Sequence, residues 1–319
     1  MKKILLRMVK IVAMIIGGAL LGFLALLIVC KLPTARVQSH VRESGTMLGM
    51  EGELWSIVPS DGNTRLDNFT DSIMLLTSAY EGDEGAVDQA VFSYRVYKKG
   101  ATKEESCENC GILADNEKSV KTYPRYWHGY KIILKPLLAF LNINEIRDLN
   151  MFFILVCCTA IILLLYKNGM GSYIIPYLFG ICFLEIPTVA KSLQNSTIFH
   201  LISLAGIVIL LGSRKEAFRK RYWAFFLMVG MATSYFDFLT YPIATLGFTL
   251  IFYVGLVGVY EKYDLKFVWH TIENSFLWGI GYLGMWAMKW VLGTLFTGQN
   301  LFLDAKEGIT LRAGNEFQG

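Results

Sequence analysis

The chain of 319 residues is 54% apolar and 14% aromatic, and only 18% of it is charged, against about 25% in an ordinary soluble domain. That deficit of charge argues against a soluble enzyme. The formal charge of +4 is small and its basic residues gather beside apolar segments, which gives no support to nucleic-acid binding or to an acidic soluble partner.

In chain order, residues 11–30 carry no charge over twenty positions and follow Lys2, Lys3, Arg7 and Lys10. This run exceeds the roughly 7–15 residues of a signal-peptide core, and its exit lacks a small-x-small cleavage site, so it reads as an uncleaved anchor. Residues 31–150 form a long connection with fourteen Lys/Arg and seventeen Asp/Glu, broken by turn-forming clusters such as Ser60-Asp61-Gly62-Asn63. They are expected to be a mainly helical loop domain. Six further apolar segments follow at 151–166, 172–189, 199–212, 222–235, 242–260 and 274–296. The expected architecture is therefore all-α and transmembrane with about seven spans: an anchor at 1–30, the loop domain at 31–150, a six-span bundle at 151–296 and the start of a further segment at 297–319. The ending resembles the opening of another loop, which reads as a truncated chain. With the N-terminus inside, the short cytoplasmic connections hold twelve Lys/Arg and the external ones three, so the positive-inside rule places the N-terminus in the cytoplasm and the loop domain outside.

Four polar constellations then share the external side. In the first, Asp67 and Asp71 are spaced i, i+4 and share a helix face, where like charges can raise one pKa and create a general base. The plainer alternative makes Asp67 an N-cap and Asp71 an ordinary acid. The second, residues 123–131, interleaves Arg125, His128 and Lys131 with Trp127 and three tyrosines. Arg125 and His128 there could grip a phosphate at the headgroup level, or the segment could be an aromatic belt. The third sets Asp237 between Phe236 and Phe238 at bilayer depth, where an ionised carboxylate needs a partner such as a cation of the second segment, in a functional or a structural ion pair. The fourth, around Lys191, Gln194, Asn195, Ser196 and Thr197, could hydrogen-bond a sugar or a headgroup. The four histidines show no metal spacing. Cys107 and Cys110 have redox-motif spacing without a thioredoxin-like context and without the two further ligands of a zinc site, and in an external loop a local disulfide is the preferred reading.

The strings RLDNFTDSIML (65–75), YPRYWHGY (123–130), LKPLL (134–138) and SYFDFLTYP (234–242) resemble an uncharacterised family of bacterial polytopic membrane proteins. More distantly, the layout is similar to GT-C membrane glycosyltransferases, which have an N-in anchor, a large first external loop carrying acids, and many spans. That resemblance implies an enzyme of the bacterial cytoplasmic membrane that uses a polyprenyl-phosphate-linked sugar to modify an envelope glycan. Asp67 or Asp71 would be the base or would hold a divalent metal. Arg125, His128 and Lys131 would neutralise the leaving phosphate, and Asp237 would hold those cations in place. The chain departs from that class in the distance of Asp67 from the first span and in its smaller span count. The rival reading is a non-enzymatic transporter or envelope-assembly scaffold, in which the same charges form ion pairs. Charge-poor spans with polar groups on one face favour the enzyme, since transporters carry ionisable groups near the midplane and broken helices.

Overall fold

A computed structural model describes residues 2–98, 118–236, 240–303 and 306. It is mostly helical. Helix α1 (Lys2–Cys30) is followed by α2 (Ala35–Glu51), α3 (Asn68–Ser78) and α4 (Ala86–Phe92). Strands β1 (Arg95–Lys98) and β2 (Lys118–Lys121) then pair antiparallel, with Arg95 opposite Lys121. Helix α5 (Lys131–Leu138) closes the loop domain before α6 (Ile143–Lys167), α7 (Ile174–Phe183), α8 (Ile186–Lys191), α9 (Leu193–Gly212), α10 (Tyr222–Phe236), α11 (Pro242–Tyr260) and α12 (Leu265–Thr297).

Among the described residues four helices are long and apolar enough to cross a membrane: Ile4–Cys30, Ile143–Lys167, Leu193–Gly212 and Pro242–Tyr260. Each turns large apolar side chains outward, among them Leu21 and Leu24 on α1, Phe152 and Leu163 on α6, and Ile243 and Ile251 on α11. Helix α10 is apolar but shorter. Helix α12 has the length, yet it carries Lys266, Glu273, Asn274 and Lys289 among its apolar residues.

Two boundaries differ from the sequence expectation, each for a local reason. A capping box starts α6 at Asn142: its side chain accepts from Asn144 and Glu145 N–H while Glu145 accepts from Asn142 N–H. The 150/151 boundary thus falls inside one continuous helix. The segment 172–189 is not one helix, because Glu185 takes φ +51° and Pro187 follows at the start of α8, where it cannot donate back to the preceding turn.

The loop domain packs on one end of the helical bundle. Val37, Val41 and Leu48, one stripe of α2, join Leu75 of α3, Leu134 and Leu138 of α5, Ile143 and Ile146 of α6 and Leu193 of α9 in a common core. Ala90 and Val91 of α4 and Trp127 join Phe23 and Leu26 of α1 and Leu292 of α12 in a second. Helices α10 and α12 approach closely because glycines meet backbone. A Cβ on Gly281 would collide with the Leu227 carbonyl, and one on Gly230 with the Trp278 carbonyl, whereas one on Gly279 would meet nothing within 4 Å. Small residues allow such approaches between membrane helices. Gly281→Ala or Gly230→Ala is therefore expected to cost about 1–3 kcal/mol through overpacking, while Gly279→Ala leaves the thermal midpoint unchanged. Equal midpoints for all three variants would contradict this packing.

Candidate functional site where the loop domain meets the bundle

Helix α3 begins where it does because Asp67 caps it, accepting from Thr70 N–H at 3.0 Å and from the Thr70 hydroxyl at 2.6 Å. One turn on, Asp71 lies on the same face, and both acids point at the first turn of α9. Gln194 Nε2 donates to Asp67 at 3.1 Å. The Leu193 and Gln194 N–H groups donate to the two Asp71 oxygens at 2.9 and 3.4 Å, groups that a helix N-terminus leaves without partners of its own. Thr240, just before α11, donates to the Gln194 side-chain Oε1 at 3.1 Å. The first and fourth constellations of the sequence thus converge. Asp71 is fully buried, and that burial pushes its carboxyl up to about 7, against the lowering influence of the α9 N–H groups and of Arg147. Asp67 is half-buried. Asn195, also half-buried, donates its N–H to the Ser192 hydroxyl that caps α9.

Arg147, Glu51 and Asn68 complete this junction, and the sequence reading gave Arg147 and Glu51 no role. Arg147 grips both Glu51 oxygens at 2.7 and 2.9 Å. It also donates to the Lys191 carbonyl at 2.8 Å and to Asn68 Oδ1 at 3.3 Å. Asn68, fully buried, returns hydrogen bonds to Glu51 and to the Gly52 carbonyl. One guanidinium therefore fastens α2, α3 and the end of α8 to the start of α6. The available signal was an arginine flanked by Glu145 and Asp148 just before the apolar run of 151–166.

The aromatic segment forms a separate cluster. Trp127 is fully buried, donates its indole N–H to the Met285 carbonyl at 2.7 Å and lies under the Lys289 ammonium at 5.6 Å. Its role is to pin the loop domain to α12. His128 is buried with φ +54°. Its Nε2 donates to the Tyr123 carbonyl at 2.8 Å, and its Nδ1 accepts from the Tyr130 hydroxyl at 3.2 Å. Burial, then the Lys131 and Lys289 charges, hold its pKa well below the usual histidine value. The ring is neutral at pH 7 and offers no charge to a phosphate. Arg125 stacks its guanidinium over Tyr123 at 5.5 Å, and its carbonyl accepts from the Trp286 and Trp290 indoles. Lys131 is buried on α5 beside Lys135. Among the described residues no ion pair joins Asp67 or Asp71 to Arg125, His128 or Lys131, so the acids are not paired with the side chains of this segment. Asp237, Cys107 and Cys110 lie outside the described residues.

An apolar cavity of about 140 Å³ opens between α3, α5, α6 and α9. Met74, Tyr130, Leu134, Ile146 and Leu204 line it, with Asn150, Ser196, Thr197 and His200 as sparse polar groups. Leu193 belongs to both places: its side chain lines the cavity and its N–H binds Asp71. Asn150 donates to the Ser196 hydroxyl at 3.1 Å. Among the described residues no group of three or more His, Cys, Asp or Glu side chains is placed to hold a metal ion. Compared with protein-family models, with curated proteins and with solved structures, the chain finds no match.

Proposed function

We propose that this membrane protein is a GT-C-like glycosyltransferase that moves a sugar from a polyprenyl phosphate to an envelope glycan at the external face of a bacterial cytoplasmic membrane. The observation that carries the reading is the apolar cavity set against the Asp67–Asp71 pair through Leu193. Ligand sites combine apolar walls with a few placed polar groups, and an isoprenoid chain beside a carboxylate needs that combination. A seven-segment layout is supported by the order of contacts with the loop domain. The later parts of α1, α10 and α12 and the starts of α6 and α9 meet it, as alternating crossings require. The distribution of Lys and Arg then puts the loop domain outside.

In this reaction the acceptor hydroxyl loses its proton to Asp67, the half-buried acid of the pair. The new bond forms between that oxygen and the anomeric carbon. The bond from the anomeric carbon to the phosphate oxygen breaks, and its electron pair leaves with the polyprenyl phosphate. Asp71, sealed from solvent, positions the start of α9 rather than touching substrate.

Asp67→Asn separates the two roles of this residue, because Asn caps a helix as well as Asp does but cannot take the proton. Sugar transfer from polyprenyl-phosphate sugar to glycan, measured in right-side-out vesicles, is expected to fall about 10²–10⁴-fold with the thermal midpoint retained. The engagement of both acids in helix capping favours a second reading, an envelope-assembly scaffold. Undiminished transfer by Asp67→Asn would remove Asp67 as the base, and no transfer by the wild-type protein with any lipid-linked sugar would decide for the scaffold.

A further inference from the structure

Lys131 and Lys135 stand one turn apart on α5 and face the same way. Their exposures are 4% and 3%. Both line a small recess closed by Cys30 at the end of α1, by Thr77, Ser78 and Tyr80 from the end of α3 and just beyond it, and by Gln89 and Tyr94. Two like charges on adjacent turns repel, and burying an ammonium without a counter-charge is costly.

No carboxylate among the described residues pairs with either lysine. Glu81 lies near Lys135 without forming an ion pair and accepts instead from Gln38. Glu84 accepts from the Tyr80 hydroxyl. Of the other donors of the recess, Thr77 and Ser78 donate to carbonyls of their own helix, and Gln89 donates to the Glu84 carbonyl. A third buried lysine, Lys289, lies near Lys131 and donates two N–H groups to the Ala90 and Val91 carbonyls at 2.9 and 2.8 Å. Three lysines therefore gather here, and among the described residues no side-chain hydrogen bond or ion pair engages the ammonium groups of Lys131 and Lys135.

We propose that this recess is an anion site in which Lys131 and Lys135 bind an oxygen of a phosphate group. Its volume of about 10 Å³ admits about one water-sized atom, so one phosphate oxygen enters and the rest of the phosphate stays at the mouth. Burial lowers the pKa of both lysines, and a bound anion reverses that change. Assigning the phosphate to a polyprenyl lipid rests on the function proposed above. Tyr130 connects the two places, since its ring lines the apolar cavity and its hydroxyl lies beside Thr77 of the recess.

The test uses the purified full-length chain in nanodiscs with three probes, farnesyl phosphate, farnesol and inorganic phosphate, followed by phosphorus NMR and thermal shift. Farnesyl phosphate is expected to bind, and Lys131→Met and Lys135→Met each to weaken it at least tenfold. Farnesol affinity should be the same in both variants as in the wild type. Met matches the lysine stem and removes a buried charge, so both variants are expected to fold with an unchanged or higher midpoint. Inorganic phosphate binding as tightly as farnesyl phosphate would keep the anion site and overturn its lipid source. Farnesyl phosphate affinity unchanged in both variants would overturn the site, and sugar transfer retained in those variants would leave the glycosyltransferase standing without it.

Discussion

Arg147→Met is expected to destabilise the protein by about 3–5 kcal/mol, the range for breaking a buried ion pair from one side. The guanidinium is 4% exposed and its partner Glu51 17%. Its loss strips Glu51 of two charge-assisted hydrogen bonds, and it leaves the Lys191 carbonyl and Asn68 Oδ1 without their donor. Asn68 still donates to Glu51 at 3.0 Å, which offsets part of the cost. Glu51→Gln should cost less, because a neutral side chain of the same shape can still accept one of the two bonds. The double variant Arg147→Met/Glu51→Met should be less destabilised than the sum of its single variants, since neither charge is then left stranded. Unfolding of the wild type, Arg147→Met, Glu51→Met and the double variant in micelles measures the coupling. Strictly additive losses would mean that the pair does not hold the loop domain to the bundle.

That pair also shows where the sequence stops being legible. Helix α1 could be read directly, because twenty uncharged residues admit few other structures. The helical character of the loop domain and the Asp67 cap could be read too, since both are local. Arg147 and Glu51 are 96 positions apart, and Trp127 and Met285 are 158 apart. No periodicity links such partners, so only the packed fold brings them together. Local signals were also outweighed by context. Residues 172–189 are apolar enough for one span, yet Pro187 and the left-handed Glu185 break them, and that break is a feature the charge-poor reading of the spans had set aside. His128 looked like a phosphate or proton ligand by its neighbours in sequence. Burial instead makes it a neutral bridge between Tyr123 and Tyr130. Lys135 is the reverse case, inconspicuous in LKPLL but placed by one helical turn beside Lys131.

Asp71 supplies the clearest dependence on pH. Its carboxyl titrates near pH 7 in the folded protein, against 3.8 for the unperturbed group. Between these values the native state binds more protons than the unfolded chain, so stability falls as pH rises. The contribution is fully present below about pH 4, is lost progressively through about pH 7, and is constant above. Three units correspond to about 4 kcal/mol at most. The direction follows from a contest at one carboxylate: the Leu193 and Gln194 N–H groups and the Arg147 charge favour the ion, and complete burial outweighs them. Asp71→Asn keeps a carbonyl oxygen for the Leu193 N–H and never ionises. The difference in unfolding free energy between wild type and Asp71→Asn isolates this residue from every other titrating group. It is expected to favour the wild type most near pH 4 and to shift toward the variant by about 4 kcal/mol up to pH 7.5. A flat difference would place the native pKa near its unperturbed value. A difference of the opposite slope would show that the α9 N-terminus and Arg147 hold Asp71 as an anion. In that case Asp71, charged at neutral pH and 0% exposed, would act as the fixed negative cap of α9 at every pH at which the membrane protein works.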